Sequence, residues 1–367
     1  MKWFALLVVY LWSESCLSQD LKTENIIIVA LDGYRWQEVF RGADARISKS
    51  KKFVRDPDSI SEFTETENKR QALMPFFWEV VVKEGQLYGN RDFGNKVNCS
   101  NLQLISYPGY NEMLTGFADH RIHSNRKVAN PNTTVLEFLN KQKQFQGKVA
   151  AFSTWDAFPY ILNEKRSGIH VNAGAELALG NISTEERWLN ENQAIVINPS
   201  NGTRYDEFTY QYAKEFMKRE KPKVLFLSFN ETDEFGHAGR YDEYLKAAYK
   251  ADQLIADLWE YIQTSPAYKD RTTLIITTDH GRGRGKNNWT RHRLFARGSR
   301  QIWLAVIGPD TPALGEVKKR NKYYQKQLAK TISAFAGEQY HSATSNSEVM
   351  QSMIKRDDAG ALVTRER

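Results

Sequence analysis

Cysteine is nearly missing from this chain: of 367 residues only Cys16 and Cys99 are of that type. If the first nineteen residues are removed, Cys99 stands alone, so an intrachain disulfide framework is excluded and stability must come from a packed core. Long hydrophobic runs are also lacking. Trp3 to Trp12 is apolar but too short to span a bilayer, and no membrane-length stretch follows it. Internal repeats and low-complexity linkers are absent, which excludes a solenoid or a string of tethered modules. A recognisable nucleic-acid motif is missing too, and the basic run Lys49 to Lys52 is short. The formal charge of +7 therefore reads as a mildly basic, solvated surface that attracts anions at long range, without specific nucleic-acid binding.

What is present begins at the N-terminus. Lys2, the apolar run and the small residues near Ser15 and Ser18 form a secretory signal pattern over residues 1–19. The expectation is an exported protein, periplasmic or secreted, with acylation at Cys16 as the alternative. Asn98, Asn132, Asn181, Asn201, Asn230 and Asn288 begin N-x-S/T triplets. A glycan on Asn230 would crowd a candidate site three residues away, which favours a bacterial exported protein.

Short, near-continuous apolar runs occur at Ile26–Leu31, Val149–Phe152, Val224–Phe229, Thr273–Thr278 and Ile302–Ile307. Runs of that kind fit strands covered on both faces. Helical patterns separate them at Leu73–Glu84, Thr134–Lys143, Tyr241–Thr264 and Tyr323–Phe335. The alternation predicts an α/β three-layer sandwich, with a largely parallel sheet between helices. One catalytic domain over residues 20–367 is expected. Within it Asp44–Lys69 reads as a polar excursion and Lys165–Tyr210 as a cap or insertion.

Ligands of such sheets bind beyond the carboxyl ends of the strands. Asp32 directly follows Ile26–Leu31, Asp233 lies four residues after Phe229, and Asp279-His280 directly follow Thr273–Thr278. Three strands thus deliver carboxylate and imidazole groups to one edge. Leu31-Asp32-Gly33 alone fits a turn cap as well as a ligand. Asp233 and His237, four apart, share a face if helical and suit one ion, or serve as a cap and a surface histidine. Adjacent Asp279 and His280 diverge at a strand end, a placement open to two different ions, or form a chance triplet with Gly281 in a loop. His292 and His341 are the remaining ligand candidates, while His120, His123 and His170 lack matched partners. Ser106 precedes a Pro-Gly turn and a helical segment, which makes it either an N-cap or a nucleophile awaiting activation. Tyr34, Trp36, Tyr110 and Trp155 lie near these motifs and either pack or stack on a nucleobase.

Taken in order, Leu31-Asp32-Gly33, Ser106-Tyr107-Pro108-Gly109-Tyr110, Leu114-Thr115-Gly116, Asp233 with His237, Asp279-His280-Gly281, and His292 before Ile302 to Pro309 resemble the alkaline phosphatase superfamily. The nucleotide pyrophosphatase/phosphodiesterase branch is the most similar, and the resemblance spans about Ile26 to Pro309. It implies two divalent ions, zinc with manganese as the alternative: Asp32, Asp279 and His280 on one, Asp233, His237 and His292 on the other. Ser106 would bridge them and form a covalent phosphoryl-enzyme intermediate. Asn125 falls, across a small gap, where that branch carries an asparagine donating to a phosphoryl oxygen.

Two departures bear on substrate. That branch usually has threonine at the position of Ser106, and a residue other than Gly109 in the turn. The arginine that follows the nucleophile in alkaline phosphatases is missing, as is the one that accompanies formylglycine conversion in sulfatases. A small phosphorylated substrate, possibly a nucleotide, is the implied partner, and diester cleavage the implied reaction. Alternatives are a monoesterase or sulfatase-like hydrolase, a phosphoglycerate mutase-like transferase, and a non-catalytic binder of anionic polymers.

Overall fold

Apolar, β-branched stretches of this chain lie side by side as strands. In chain order they are β1 (Asn25–Leu31), β2 (Gln86–Tyr88), β3 (Asn95–Asn98), β4 (Val149–Ser153), β5 (His170–Ala173), β6 (Val224–Phe229), β7 (Thr272–Thr277), β8 (Gln301–Ile302), β9 (Leu304–Ile307), β10 (Gly315–Glu316) and β11 (Asn321–Tyr324). The computed structural model describes residues 21–196, 202–341 and 347–355. The expected signal segment with Cys16, and the triplet at Asn201, lie outside the described residues.

Eight strands form one sheet in the order β10-β2-β9-β7-β1-β6-β4-β5. Only β9 runs against its neighbours, β2 and β7. At the sheet's centre β1 pairs in parallel with β6 and β7, so Leu31 faces Phe229 and Ala30 faces Thr277. The carboxyl ends of these three strands therefore lie level.

Every residue of β1 is buried, and its side chains divide between two cores. Ile27, Val29 and Leu31 join one cluster with Tyr244, Leu245, Ile255 and Leu258 of the helix Tyr241–Thr264. Ile26, Ile28 and Ala30 join the other with Tyr110, Met113 and Leu114 of the helix Ser106–Thr115. Alternation of side chains along a strand turns a continuous apolar run into a wall shared by two helical layers. Each aliphatic side chain so buried contributes about 1.5–3 kcal/mol.

Several expectations need correction. The run Ile302–Ile307 is broken: β8 pairs with β3 in a small sheet of order β11-β3-β8, whereas β9 pairs with β2 and β7. Trp303 sits at the break, fully buried, with its indole nitrogen on the Tyr34 carbonyl at 2.9 Å. The helix expected over Tyr323–Phe335 begins only at Leu328, because β11 claims Tyr323 and Tyr324 as strand partners of Val97 and Asn98. Likewise Leu73–Glu84 is interrupted: one helix ends at Leu73, and a wide turn resumes at Phe77 after Pro75. The polar excursion after Asp44 is anchored by buried Ile47, Phe53, Ile60 and Phe63. Segment 165–210, expected as a cap or insertion, supplies the edge strand β5 and enters the sheet-packed helix Asp206–Glu220.

Candidate metal centre and active site

Asp32, Asp233, His237, Asp279, His280 and His292 meet, with Ser106, at the level end of β1, β6 and β7. Asp32 comes directly off β1, with its backbone amide on the Phe229 carbonyl and its carbonyl accepting from the Thr232 hydroxyl at 2.6 Å. Asp233 and His237 lie on the helix Glu231–Ala238, whose pitch brings His237 Nε2 to 3.0 Å from Asp233 Oδ2. Asp279 and His280 leave β7 and are completely buried. His292 returns on the following loop and stacks on His280 with ring centres 4.0 Å apart. His341 is exposed and outside the cluster.

Donor atoms form two groups. Asp32, Asp279 and His280 make one, and Asp233, His280 and His292 the other, each within 4.8 Å of one another. His237 completes the second, since its Nε2 is also 2.9 Å from His292 Nε2. His280 Nε2 lies 3.5 Å from Asp32 Oδ1 and 3.5 Å from Asp279 Oδ2. A tetrahedral ion with bonds of about 2.0–2.1 Å sets its ligand atoms about 3.3 Å apart, so these spacings fit a divalent metal. Neither His280 Nε2 nor Asp279 Oδ2 finds a hydrogen-bond partner among the described residues, although both are buried. Orphaned polar atoms of that kind are costly unless something else binds them.

Tautomers follow from the neighbours. His280 Nδ1 donates to the Gly281 carbonyl at 3.0 Å and His292 Nδ1 to the Leu104 carbonyl at 2.8 Å, because a carbonyl can only accept. In the neutral rings the Nε2 lone pairs are left facing the centre. Burial lowers the His280 pKa to about 4, and burial with His280 alongside lowers that of His292 to about 3, which keeps both neutral. Asp279 is pushed up to about 7 by burial and by Asp233. Asp32 is raised well above the carboxylate range by burial, Asp279 and Asp233. Three buried carboxylates thus lack enough positive charge to offset them.

Sequence reading missed a buried cation here. Arg282 donates to Asp233 Oδ1, and also to the carbonyls of Trp289 at 3.1 Å and Thr290 at 2.6 Å. Burial opposes charge on Asp233, yet Arg282, with His237, holds its carboxyl well below the usual range. Space for the guanidinium exists because Gly33 and Gly236 flank it: a Cβ on Gly236 would lie 2.6 Å from Arg282 Cζ. Two glycines bracketing the motifs were the available signal.

Ser106 is the first residue of the helix Ser106–Thr115, and its Oγ lies 3.5 Å from Asp32 Oδ1. Gly109, one turn on, rests against the Asp279 backbone, where a Cβ would stand 2.6 Å from the carbonyl oxygen. This close approach explains the glycine in the turn. Asn125 is adjacent: its Oδ1 accepts from the Tyr107 amide at 3.0 Å, which leaves Nδ2 as the outward donor. His123, read as ordinary, lines the same cleft as Asn125.

The aromatic candidates separate. Tyr34 and Trp36 are buried in packing, and Tyr110 is buried with its hydroxyl on Asp32 Oδ2 at 3.1 Å, so none of the three offers a face to a nucleobase. Trp155 is half-buried. Asn230 is buried and donates to Glu234 at 2.9 Å, which leaves no room for a glycan.

Comparison with curated proteins returns no match. Among solved structures, alkaline phosphatase PafA is similar at TM-score 0.60 and 10% identity, over 92% of this chain and 99% of that one. Murine ectonucleotide pyrophosphatase/phosphodiesterase 5 is similar at 0.55 and 12%, over 90% and 100%. The lipoteichoic acid synthase LtaP from Listeria monocytogenes is similar at 0.58 and 13%, over 90% and 76%. At such identities the likeness establishes the alkaline phosphatase-like α/β fold. The family model for type I phosphodiesterase/nucleotide pyrophosphatase matches residues 104–357, which takes in every site residue except Asp32. With more than half of its length matched, the chain belongs to the type I phosphodiesterase/nucleotide pyrophosphatase family.

Proposed function

We propose that the protein is an exported two-metal hydrolase of small phosphoric esters, of phosphodiesterase type, with Ser106 as nucleophile and residues 20–367 as one catalytic unit. The observation that carries this reading is the placement of Ser106 Oγ, at a helix start, beside two converging sets of metal-type donors. Divalent metals are in use within the family. Asp32, Asp279 and His280 would hold one ion and Asp233, His237 and His292 the other; zinc suits mixed carboxylate and imidazole donors, with manganese second. When bound, the ions supply Lewis acidity toward the phosphoryl oxygens and lower the pKa of the serine hydroxyl.

The chain's own groups do the rest. Ser106 Oγ attacks phosphorus in line as the bond to the leaving oxygen breaks, and water then cleaves the serine ester and restores the hydroxyl. Asn125, with Oδ1 fixed on the Tyr107 amide, turns its Nδ2 donors toward a phosphoryl oxygen. Gly109 allows the nucleophile helix to sit directly on the Asp279 backbone, which fixes Ser106 relative to the donors.

Hydrolysis of matched aryl phosphodiester, phosphomonoester and sulfate substrates, after chelation and with or without added zinc, tests the reading. Zinc-restored turnover that is highest on the diester is the expected result. A dominant monoester or sulfate rate would replace the substrate class, and inactivity on all three would favour the mutase-like or binding-protein alternatives. Ser106→Ala should abolish turnover with metal content and melting temperature near wild type; unchanged turnover would remove Ser106 from the mechanism.

A further inference from the structure

Beside Asn125 lies a cleft of about 570 Å³, walled on one side by Leu102, Gln103 and Ile105 and on the other by Arg293, Leu294 and Phe295. Apart from buried Ile105, its apolar walls are exposed. Phe295 is 95% exposed, Leu102 60% and Leu294 50%. A phenyl ring left almost wholly in water adds little to folding, and three large apolar side chains converging on one cleft form a patch suited to a ligand. The larger cleft, near Lys127 and Asp156, contains none of the site residues, and these two charges pair with each other at 2.5 Å.

Both walls are tied to the metal centre. Leu104 and Arg293 hold positive φ values, 53° and 101°, and both adjoin His292. The Leu104 carbonyl receives His292 Nδ1, while Arg293 follows His292 in sequence. Glu112 of the nucleophile helix fastens the first wall through the amides of Ser100 and Asn101, and Asn101 Oδ1 in turn accepts from the Leu104 amide at 2.8 Å. Strained backbone on both sides of one ligand is a feature that folding alone does not require. The cleft is therefore registered to the reacting position, with Asn125 at the junction.

We propose that this cleft is the subsite for an aromatic ester arm of the substrate, stacked on Phe295 and held between Leu102 and Leu294; the assignment rests on the hydrolase reading above. Arg293 forms no ion pair among the described residues, so its charge favours a neutral or anionic arm over a cationic one. The cleft's size suits one ring system next to a phosphoryl group.

The test uses the full zinc-loaded protein and two non-hydrolysable probes, phenylphosphonate and methylphosphonate, titrated by calorimetry. Phenylphosphonate should bind at least tenfold more tightly. Phe295→Ala and Leu102→Ala, both at exposed positions, should each reduce that ratio below threefold and leave methylphosphonate affinity and melting temperature unchanged. Equal binding of the two probes by the wild type, no binding of either, or a preference that survives both substitutions would overturn the proposal. Turnover assays keep the two readings apart. Phenyl preference without hydrolysis of any phosphate ester would retain the cleft and sink the hydrolase reading, whereas hydrolysis without phenyl preference would sink the cleft alone.

Discussion

Arg282 shows how a single side chain can prepare a metal ligand. Its guanidinium engages one oxygen of Asp233 and leaves the other toward His237, so Asp233 is set to bind an ion through one atom. The same guanidinium grips the Trp289 and Thr290 carbonyls, and so joins the helix bearing Asp233 to the loop bearing His292. Arg282→Gln should therefore weaken zinc binding roughly 10–100-fold, the range seen when a ligand's supporting partner is lost. Competition against a chromophoric chelator reads this directly, and an unchanged zinc affinity would reduce Arg282 to a packing role. The six carboxylate and imidazole donors themselves were legible in the sequence because such groups after buried strands have few other uses. Arg282, Glu112 and the Leu104 carbonyl were not legible: a buried arginine has no fixed spacing to its partner, and a backbone oxygen carries no residue signature.

Close packing at the scale of elements gives two further tests. The helix Ser106–Thr115 meets the Asp279 backbone at Gly109, and a methyl there would come within 2.6 Å of a carbonyl oxygen that cannot swing away. Gly109→Ala should cost about 1–3 kcal/mol by overpacking. Because relief of the clash would tilt Ser106 away from the donors, kcat should fall more than stability alone explains; full activity would show that the close approach is incidental. Elsewhere, Asp252 on the helix Tyr241–Thr264 accepts from the Phe76 and Phe77 amides at 2.8 and 3.1 Å and so anchors the turn after Pro75. Burial, with Glu79 adding to it, raises its pKa to about 7. The folded state then holds a proton that the unfolded chain releases near pH 4, so this contribution to stability falls as pH rises from about 4 to 7. Asp252→Asn removes the titration and keeps one of the two acceptor oxygens. Urea midpoints from pH 4.5 to 7.5 should show the variant gaining on wild type with rising pH; parallel curves would refute the assignment. Elements were readable from sequence where the pattern was local, as in β1, β6, β7 and Tyr241–Thr264. Prediction failed where distant pairing decided the outcome: β3 draws Tyr323 and Tyr324 into a strand, and the Trp303 indole, held by Tyr34, divides one apolar run between two sheets.

Considered whole, the molecule concentrates three buried carboxylates, Asp32, Asp233 and Asp279, at the end of its central strands, with Arg282 as the buried cation among them. No helix among the described residues is long and apolar enough to cross a membrane, and the described cysteine, Cys99, is free. Divalent ions would be its structural keystone as well as its catalytic one, because they bind the folded donor set and not the unfolded chain. At a free concentration a thousandfold above Kd, one ion stabilises by about 4 kcal/mol, which for a chain this long raises the melting temperature by about 5 °C. The effect should depend on pH with a definite sign. Burial raises the folded pKa values of Asp32 and Asp279, the latter to about 7. In the metal-free protein the protonated carboxyls relieve their mutual repulsion, so the contribution of these two groups to stability is present below about pH 4 and is lost as pH rises toward about 7. Zinc must displace those protons, so its stabilisation grows over the same interval. Thermal unfolding of chelated and zinc-loaded protein should accordingly show a gap in melting temperature that widens from pH 5.5 to pH 8. A gap that stays constant, or melting that ignores chelation at every pH, would mean that the converging donors are not the protein's metal site.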